Sequence, residues 1–347
     1  MFRLSRMTPD PRPVLCFGEI LLRLSSPAGE MMLQSPRLET CTGGAEANVA
    51  VALARFGQAA AMVSVLPDNV LGRGAHSAVR GQGVDTSPVV FTPGRMGLYF
   101  LTPGAVGRPS DVIYDRAHSA FAKADLAALP WDDLLNGVSC LHISGITPAT
   151  GRRGADGALA AVRAAAKAGV PVSFDGNFRG KLWAEWNDDP SVILRELFSH
   201  AQILFANDRD IALVLGETFD DADPLVRSQR AADAAIAAFP RLRWMASTTR
   251  TLLSASHHDL SAVLFERGRP VVTSPARRLE GIVDRIGAGD AFAAGLLFSL
   301  LRGSDPQATL DFALAAACLK HSIAGDFTLA DAADVEAVMA RTYDVRR

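Results

Sequence analysis

Short apolar runs alternate with amphipathic stretches along most of this chain. The runs at 14–17, 60–65, 140–143, 170–174, 203–205 and 244–246 carry few polar residues. Runs of that length and composition predict strands covered on both faces. Between them, residues 45–56, 72–80, 155–168 and 231–238 repeat their apolar positions at helical spacing, with Gly57 closing the first and Gly81 and Gly83 following the second. Strand–helix alternation over this length predicts an α/β fold with a mostly parallel sheet between two helical layers. Ligands of such sheets gather at the carboxyl ends of the strands. Two regions, 20–40 and 89–114, break the alternation and read as strands without helices between them. Residues 97–101 alternate, 103–107 turn and 111–114 resume, which predicts a surface hairpin.

Composition narrows the class. With 347 residues, 49% of them hydrophobic, the chain can bury one large core, expected over 14–338. A formal net charge of −2 gives no electrostatic reason to expect nucleic acid or an anionic membrane as partner. No segment is long and apolar enough to span a bilayer; 292–301 is far too short. Residues 1–13 hold three arginines and three prolines with no apolar run behind them. They read as a flexible lead-in rather than a secretory signal, with Met7 an alternative start to Met1. Cys16, Cys41, Cys140 and Cys318 lack metal-ligand spacing and read as reduced thiols of a cytoplasmic protein. His257-His258-Asp259 reads as an exposed loop, and Ser144 lacks the upstream glycine of a nucleophile elbow.

The most informative local feature is Ile286-Gly287-Ala288-Gly289-Asp290-Ala291-Phe292, a glycine turn that runs into an apolar helix. Small residues let the backbone approach an oxyanion, and the free N–H groups of the helix start point at it. Asp290 puts a carboxylate in that same first turn, which suits a base that takes a proton from a hydroxyl attacking a held phosphate. The plain alternative is a turn followed by a helix cap. A Walker-type phosphate loop is absent, and a dinucleotide pattern would need glycine where Phe292 stands, so a dinucleotide oxidoreductase is disfavoured.

Three blocks together carry a family likeness: Thr42-Gly43-Gly44-Ala45-Glu46-Ala47-Asn48, Asp175-Gly176-Asn177-Phe178-Arg179-Gly180-Lys181-Leu182-Trp183 and Asp284-Arg285-Ile286-Gly287-Ala288-Gly289-Asp290. With them, from about residue 14 to 338, the chain resembles the ribokinase-like (PfkB) carbohydrate kinases. The second block and Cys318 to Phe327 resemble the subgroup that phosphorylates 2-keto-3-deoxygluconate. The resemblance implies a three-layer α/β/α sandwich. The strands of 20–40 and 89–114 would form a small β lid that closes over the sugar and supports a homo-oligomer. It also implies ATP-dependent phosphorylation of a terminal hydroxyl with Asp290 as base, and ATP, Mg2+ and in some relatives a monovalent cation as cofactors.

By the same resemblance, Gly44, Asn48, Tyr99, Tyr114, Arg116, Arg179 and Asp326 fall at substrate-contacting positions. Arginine suits the carboxylate of a sugar acid because its planar fork donates two bonds at once. Asn177, Asn207, Gly287, Ala288 and Gly289 fall on the nucleotide side, and Asp210 takes the place of an acidic residue that organises Mg2+ through water. Asn207 also reads as a helix cap. Where relatives carry a Lys-x-Gly-x-x-Gly loop, this chain reads Ala246-Ser247-Thr248-Thr249-Arg250-Thr251, so Thr248 and Arg250 are the candidates there. The alternatives are the same chemistry on 2-keto-3-deoxygalactonate, fructose or a related keto sugar, or a non-catalytic sugar- or nucleotide-sensing protein on this scaffold.

Overall fold

In the computed structural model, which describes residues 10–187 and 189–340, fourteen strands form three sheets. In chain order they are β1 (Val14–Phe17), β2 (Leu21–Ser25), β3 (Glu39–Gly43), β4 (Ala60–Val63), β5 (Val65–Pro67), β6 (Val90–Thr92) and β7 (Leu98–Thr102). There follow β8 (Asp111–Asp115), β9 (Cys140–Ser144), β10 (Val172–Asp175), β11 (Ile203–Phe205), β12 (Trp244–Ser254), β13 (His257–Glu266) and β14 (Val272–Leu279). The main sheet has eight strands in the order β14-β13-β12-β11-β10-β9-β1-β4. It is parallel from β4 to β12, and β12, β13 and β14 close it with antiparallel pairs.

Alternation along each parallel strand feeds two cores. Val14 and Cys16 of β1 pack on one face, with the helices Ala45–Arg55, Ala288–Leu301 and Pro306–Lys320. Leu15 and Phe17 pack on the other, with Arg152–Ala168, Ser191–His200 and Pro224–Ala238. The helix Ala288–Leu301 is buried along nearly its whole length, which explains why its sequence is apolar all round. Among the described residues no helix is long and apolar enough to cross a membrane.

A second sheet, in the order β3-β2-β7-β8, stands apart from the first. The hairpin expected around 103–107 is the β7–β8 pair, and a parallel β2–β7 pair joins it to the β2–β3 hairpin. Its inner face carries Leu21, Tyr99 and Leu101, while Ile113 lies exposed on the outer face.

Several expectations need correction. The run 60–65 is broken into β4 and β5, and β6 pairs with β5 instead of joining the small sheet. The strand expected at 244–246 continues to Ser254, and His257-His258-Asp259 opens β13 instead of forming an exposed loop. Past Ala246 this strand is no longer paired with β11 and its residues 248–253 are exposed, so the apolar signature fades while the ladder with β13 goes on. His258 is fully buried, its ring 4.8 Å from that of His321. Of the lead-in, residues 1–9, with Met7, lie outside the described residues. Within 10–13, Gln58 Nε2 donates to the carbonyls of Asp10 and Arg12 at 3.0 and 3.1 Å.

Candidate active site

The carboxyl ends of β1, β9, β10 and β11 meet the starts of the helices Ala45–Arg55 and Ala288–Leu301 at one cleft. Gly287 makes the second helix possible. Its φ of 83° is left-handed, and a Cβ there would lie 2.1 Å from the Asp326 carbonyl oxygen. Only glycine fits. No side chain caps this helix start, so the amides of Gly289 and Asp290 are left for an anion. Gly44 plays a similar part at the other helix: its φ is 138° and a Cβ would meet the Glu19 carbonyl at 2.2 Å.

Asn48, one turn into the first helix, donates from Nδ2 to Asp290 Oδ2 at 2.6 Å. Burial pushes the Asp290 carboxyl up to about 7, partly offset by the Asn48 bond, while the nearby charges of Glu46 and Asp326 push the same way as burial. The side chain is only half-buried at the surface of the cleft, so it is deep among neighbouring atoms yet reachable. A carboxylate with that affinity for a proton can both accept one from an alcohol and release it near neutrality.

Asp175, at the end of β10, is pushed up to about 8 by burial and then by the charges of Asp290 and Asp210. Asp210 is itself raised, chiefly by burial. The segment after β10 is tight: Gly176 N–H donates to the Phe205 carbonyl at 2.7 Å, and Asn177, at a φ of 34°, donates its amide to Asp175 Oδ1. Arg179 follows, exposed, with its one recorded hydrogen bond to the Phe178 carbonyl, and its charge partly offsets the rise of all three aspartates. Asn207 caps the helix Asp208–Leu215 in a capping box with Asp210.

The small sheet reaches the cleft through Tyr99, whose hydroxyl donates to Asp326 Oδ2 at 2.7 Å. Tyr114 lies beside it, ring centres 6.5 Å apart. Burial raises the Asp326 carboxyl to about 6 against the opposing pull of Arg23 and the Tyr99 bond. Arg116 is buried and already engaged: its Nε donates to Glu19 Oε2 at 2.7 Å, and its Nη2 lies 2.6 Å from the same oxygen.

Gly44, Asn48, Tyr99, Tyr114, Arg179, Asp326, Asn177, Asp210, Gly287, Ala288, Gly289 and Asp290 thus border one cleft. Thr248 and Arg250 sit on an exposed strand instead of a loop, with Arg250 near enough to Arg285 and His321 for its charge to lower their proton affinity. Sequence reasoning passed over Glu19, Arg23, Glu46, Asp284 and Lys320. Glu46 is fully buried and accepts from Ser144 N, Ser144 Oγ and Thr147 Oγ1 at 2.7–2.9 Å, which fixes the helix start against β9. The signal for Arg23, Glu19 and Glu46 was a charge inside an otherwise apolar run; Asp284 stood at the head of the glycine block.

No group of three or more histidine, cysteine or acidic side chains poised to hold a metal is found among the described residues. The charge of Asp210 nonetheless raises the proton affinity of Asp175, and Arg179 is a counter-charge to both. An anionic pair of that kind fits a hydrated Mg2+, which needs one or two carboxylates and keeps most of its waters.

Residues 12–328 match the pfkB family carbohydrate kinases. A 2-dehydro-3-deoxygalactonokinase of Haloferax volcanii is 33% identical, the alignment covering 94% of this chain and 96% of the relative. The solved 2-dehydro-3-deoxygluconokinase of Thermotoga maritima superposes with a TM-score of 0.89 at 37% identity, over 95% of this chain and 99% of that one. The fold also extends to a Ribokinase II candidate of E. coli solved with ATP and Mg2+, with a TM-score of 0.80 at 19% identity over 95% and 99% of the two chains.

Proposed function

From a chain that belongs to the pfkB family of carbohydrate kinases, and is therefore a sugar kinase that uses ATP, we propose a narrower activity: transfer of the γ-phosphoryl group to the terminal hydroxyl of 2-keto-3-deoxy-D-gluconate. Asp290 takes the hydroxyl proton as the oxygen bonds to phosphorus and the bond to the leaving ADP breaks. Asn48 holds the carboxylate in line from its buried side. The amides at the start of the helix Ala288–Leu301 receive the charge spread over the phosphoryl oxygens. Asn177 and Asn207 border the nucleotide side, and Asp210, with Asp175 beside it, would hold Mg2+ through water. When bound, that ion neutralises phosphate charge. The Arg23 guanidinium stands between Asp284 and Asp326 and offsets part of their charge.

The small sheet acts as a lid that keeps water from the γ-phosphate. Its exposed outer residue Ile113 supports pairing with a second copy through that face. The reaction takes place in the cytoplasm, where ATP is supplied.

One observation carries the choice of a sugar acid. Arg179 is exposed at the cleft and forms no ion pair among the described residues, leaving its fork for a substrate carboxylate. Arg116 weakens the case for two such arginines, since Glu19 occupies two of its nitrogens. That contact favours, as the second reading, a neutral keto sugar such as fructose; the galactonate epimer is the nearer variant. Kinetics with 2-keto-3-deoxygluconate, its galactonate epimer, fructose and ribose decide between them. The acids are expected to give the higher kcat/KM, and Arg179→Ala to lower it for acids alone. A preference for fructose would overturn the acid assignment.

A further inference from the structure

Arg23 is almost fully buried in β2, yet it belongs to neither core and to no assigned binding role. Its Nη2 lies 2.8 Å from Asp284 Oδ2 and its Nη1 3.2 Å from Asp326 Oδ1. These two carboxylates flank the glycine turn. Asp284 Oδ1 accepts from the Ile286 amide at 3.0 Å, and its Oδ2 also accepts from the Gly325 amide at 3.0 Å. Asp326 lends its carbonyl to the tight approach against Gly287 and its carboxylate to Tyr99 on β7. Lys320, fully buried, runs beneath the same turn, its Nζ donating to the Ile323 carbonyl at 2.9 Å. Among the described residues, Arg23 is therefore the one charged side chain through which the small sheet grips both walls of the phosphate turn. Burial works against its charge, but Asp326 and Asp284 outweigh that and hold the proton on more firmly than usual.

The grip is not fully seated. Nη1 and Asp326 Oδ1 are close enough to attract but lack hydrogen-bond alignment, and Nε has no partner. A buried ion pair that misses alignment stabilises little, whereas an aligned, bridged one holds its partners in register.

We propose that Arg23 is a positioning residue: carried on the small sheet, its guanidinium bridges Asp284 and Asp326 and sets the glycine turn for phosphoryl transfer when that sheet closes over the sugar. Closure and completion of the anion site are then one event. This assignment rests on the reading of Asp290 and its turn as the catalytic centre, but not on which sugar is phosphorylated.

The test uses whichever sugar the wild-type enzyme phosphorylates, so a wrong choice of substrate shows in the wild type alone. Arg23→Lys keeps the charge and loses the bridge. Its kcat is expected to fall about 10- to 100-fold, with KM for ATP changed by less than about threefold. Asp284→Asn should cost a similar factor, and the double variant no more than the worse single one, since both break the same bridge. Wild-type kcat in folded Arg23→Lys, or losses that multiply in the double variant, would overturn the proposal. A second measurement needs no variant. Hydrogen exchange on wild-type enzyme should slow at the Ile286 and Gly325 amides when sugar is added without nucleotide. Unchanged exchange at both, with sugar bound, would also overturn it.

Discussion

Asp290 shows how one side chain's surroundings set its chemistry. Its carboxyl titrates near 7 because burial penalises the charge more than Asn48 relieves it. The base must be ionised to accept a proton, so kcat/KM is expected to fall on the acid side with an apparent pKa near 7, shared with the neighbouring acids Asp175 and Asp326. A pH–rate profile flat from 5 to 8 would contradict this. Asp290→Asn removes the base and should lower kcat by about 10²- to 10⁴-fold, while sugar and ATP still bind in calorimetry. Stability should move the other way. A carboxyl raised from 3.8 to about 7 favours the folded state when protonated, and that contribution is lost as pH rises through about 7. Asp290→Asn cannot ionise, so it should melt higher than wild type above pH 7, with the gap closing toward pH 4. Equal melting temperatures at pH 8 would count against the burial account.

At the scale of elements, the turn before the helix Ala288–Leu301 depends on the loop that holds Asp326. Gly287→Ala forces a Cβ into the Asp326 carbonyl and a left-handed φ onto alanine. A loss of at least about 1 kcal/mol in denaturant melts is expected, with kcat down about tenfold; wild-type values for both would show that the loop yields freely. This turn was readable in the sequence because its signal is local: glycines, then an apolar helix. The strands β1 to β11 of the main sheet were readable for a related reason, since burial on both faces leaves compact apolar runs. Only the start of β12, 244–246, was readable in that way; beyond it residues 248–253 are exposed, so no compact apolar run marks the ladder with β13. The bridge through Arg23 was hidden for another reason. Asp284 lies 261 positions away along the chain, and no local pattern announces such a partner.

For the whole molecule, two cores share one sheet, and the small sheet hangs over the cleft between the strand ends and the phosphate turn. If copies pair through the outer face of that small sheet, a charge placed there should part them. Ile113→Arg is expected to weaken self-association about tenfold or more in sedimentation and leave the melting temperature of the separated subunit near that of wild type. Unaltered sedimentation would place any pairing elsewhere.

The two-sided burial of β1 carries a cost during synthesis. Val14 and Cys16 are covered by the nearby helix Ala45–Arg55, but the helices that complete the same core over it, Ala288–Leu301 and Pro306–Lys320, lie far along the chain. The outer side of that first helix therefore stays bare until those distant helices are made. The nascent chain must carry an open, adhesive surface until then, and a ribosome stalled before residue 288 would present it to chaperones.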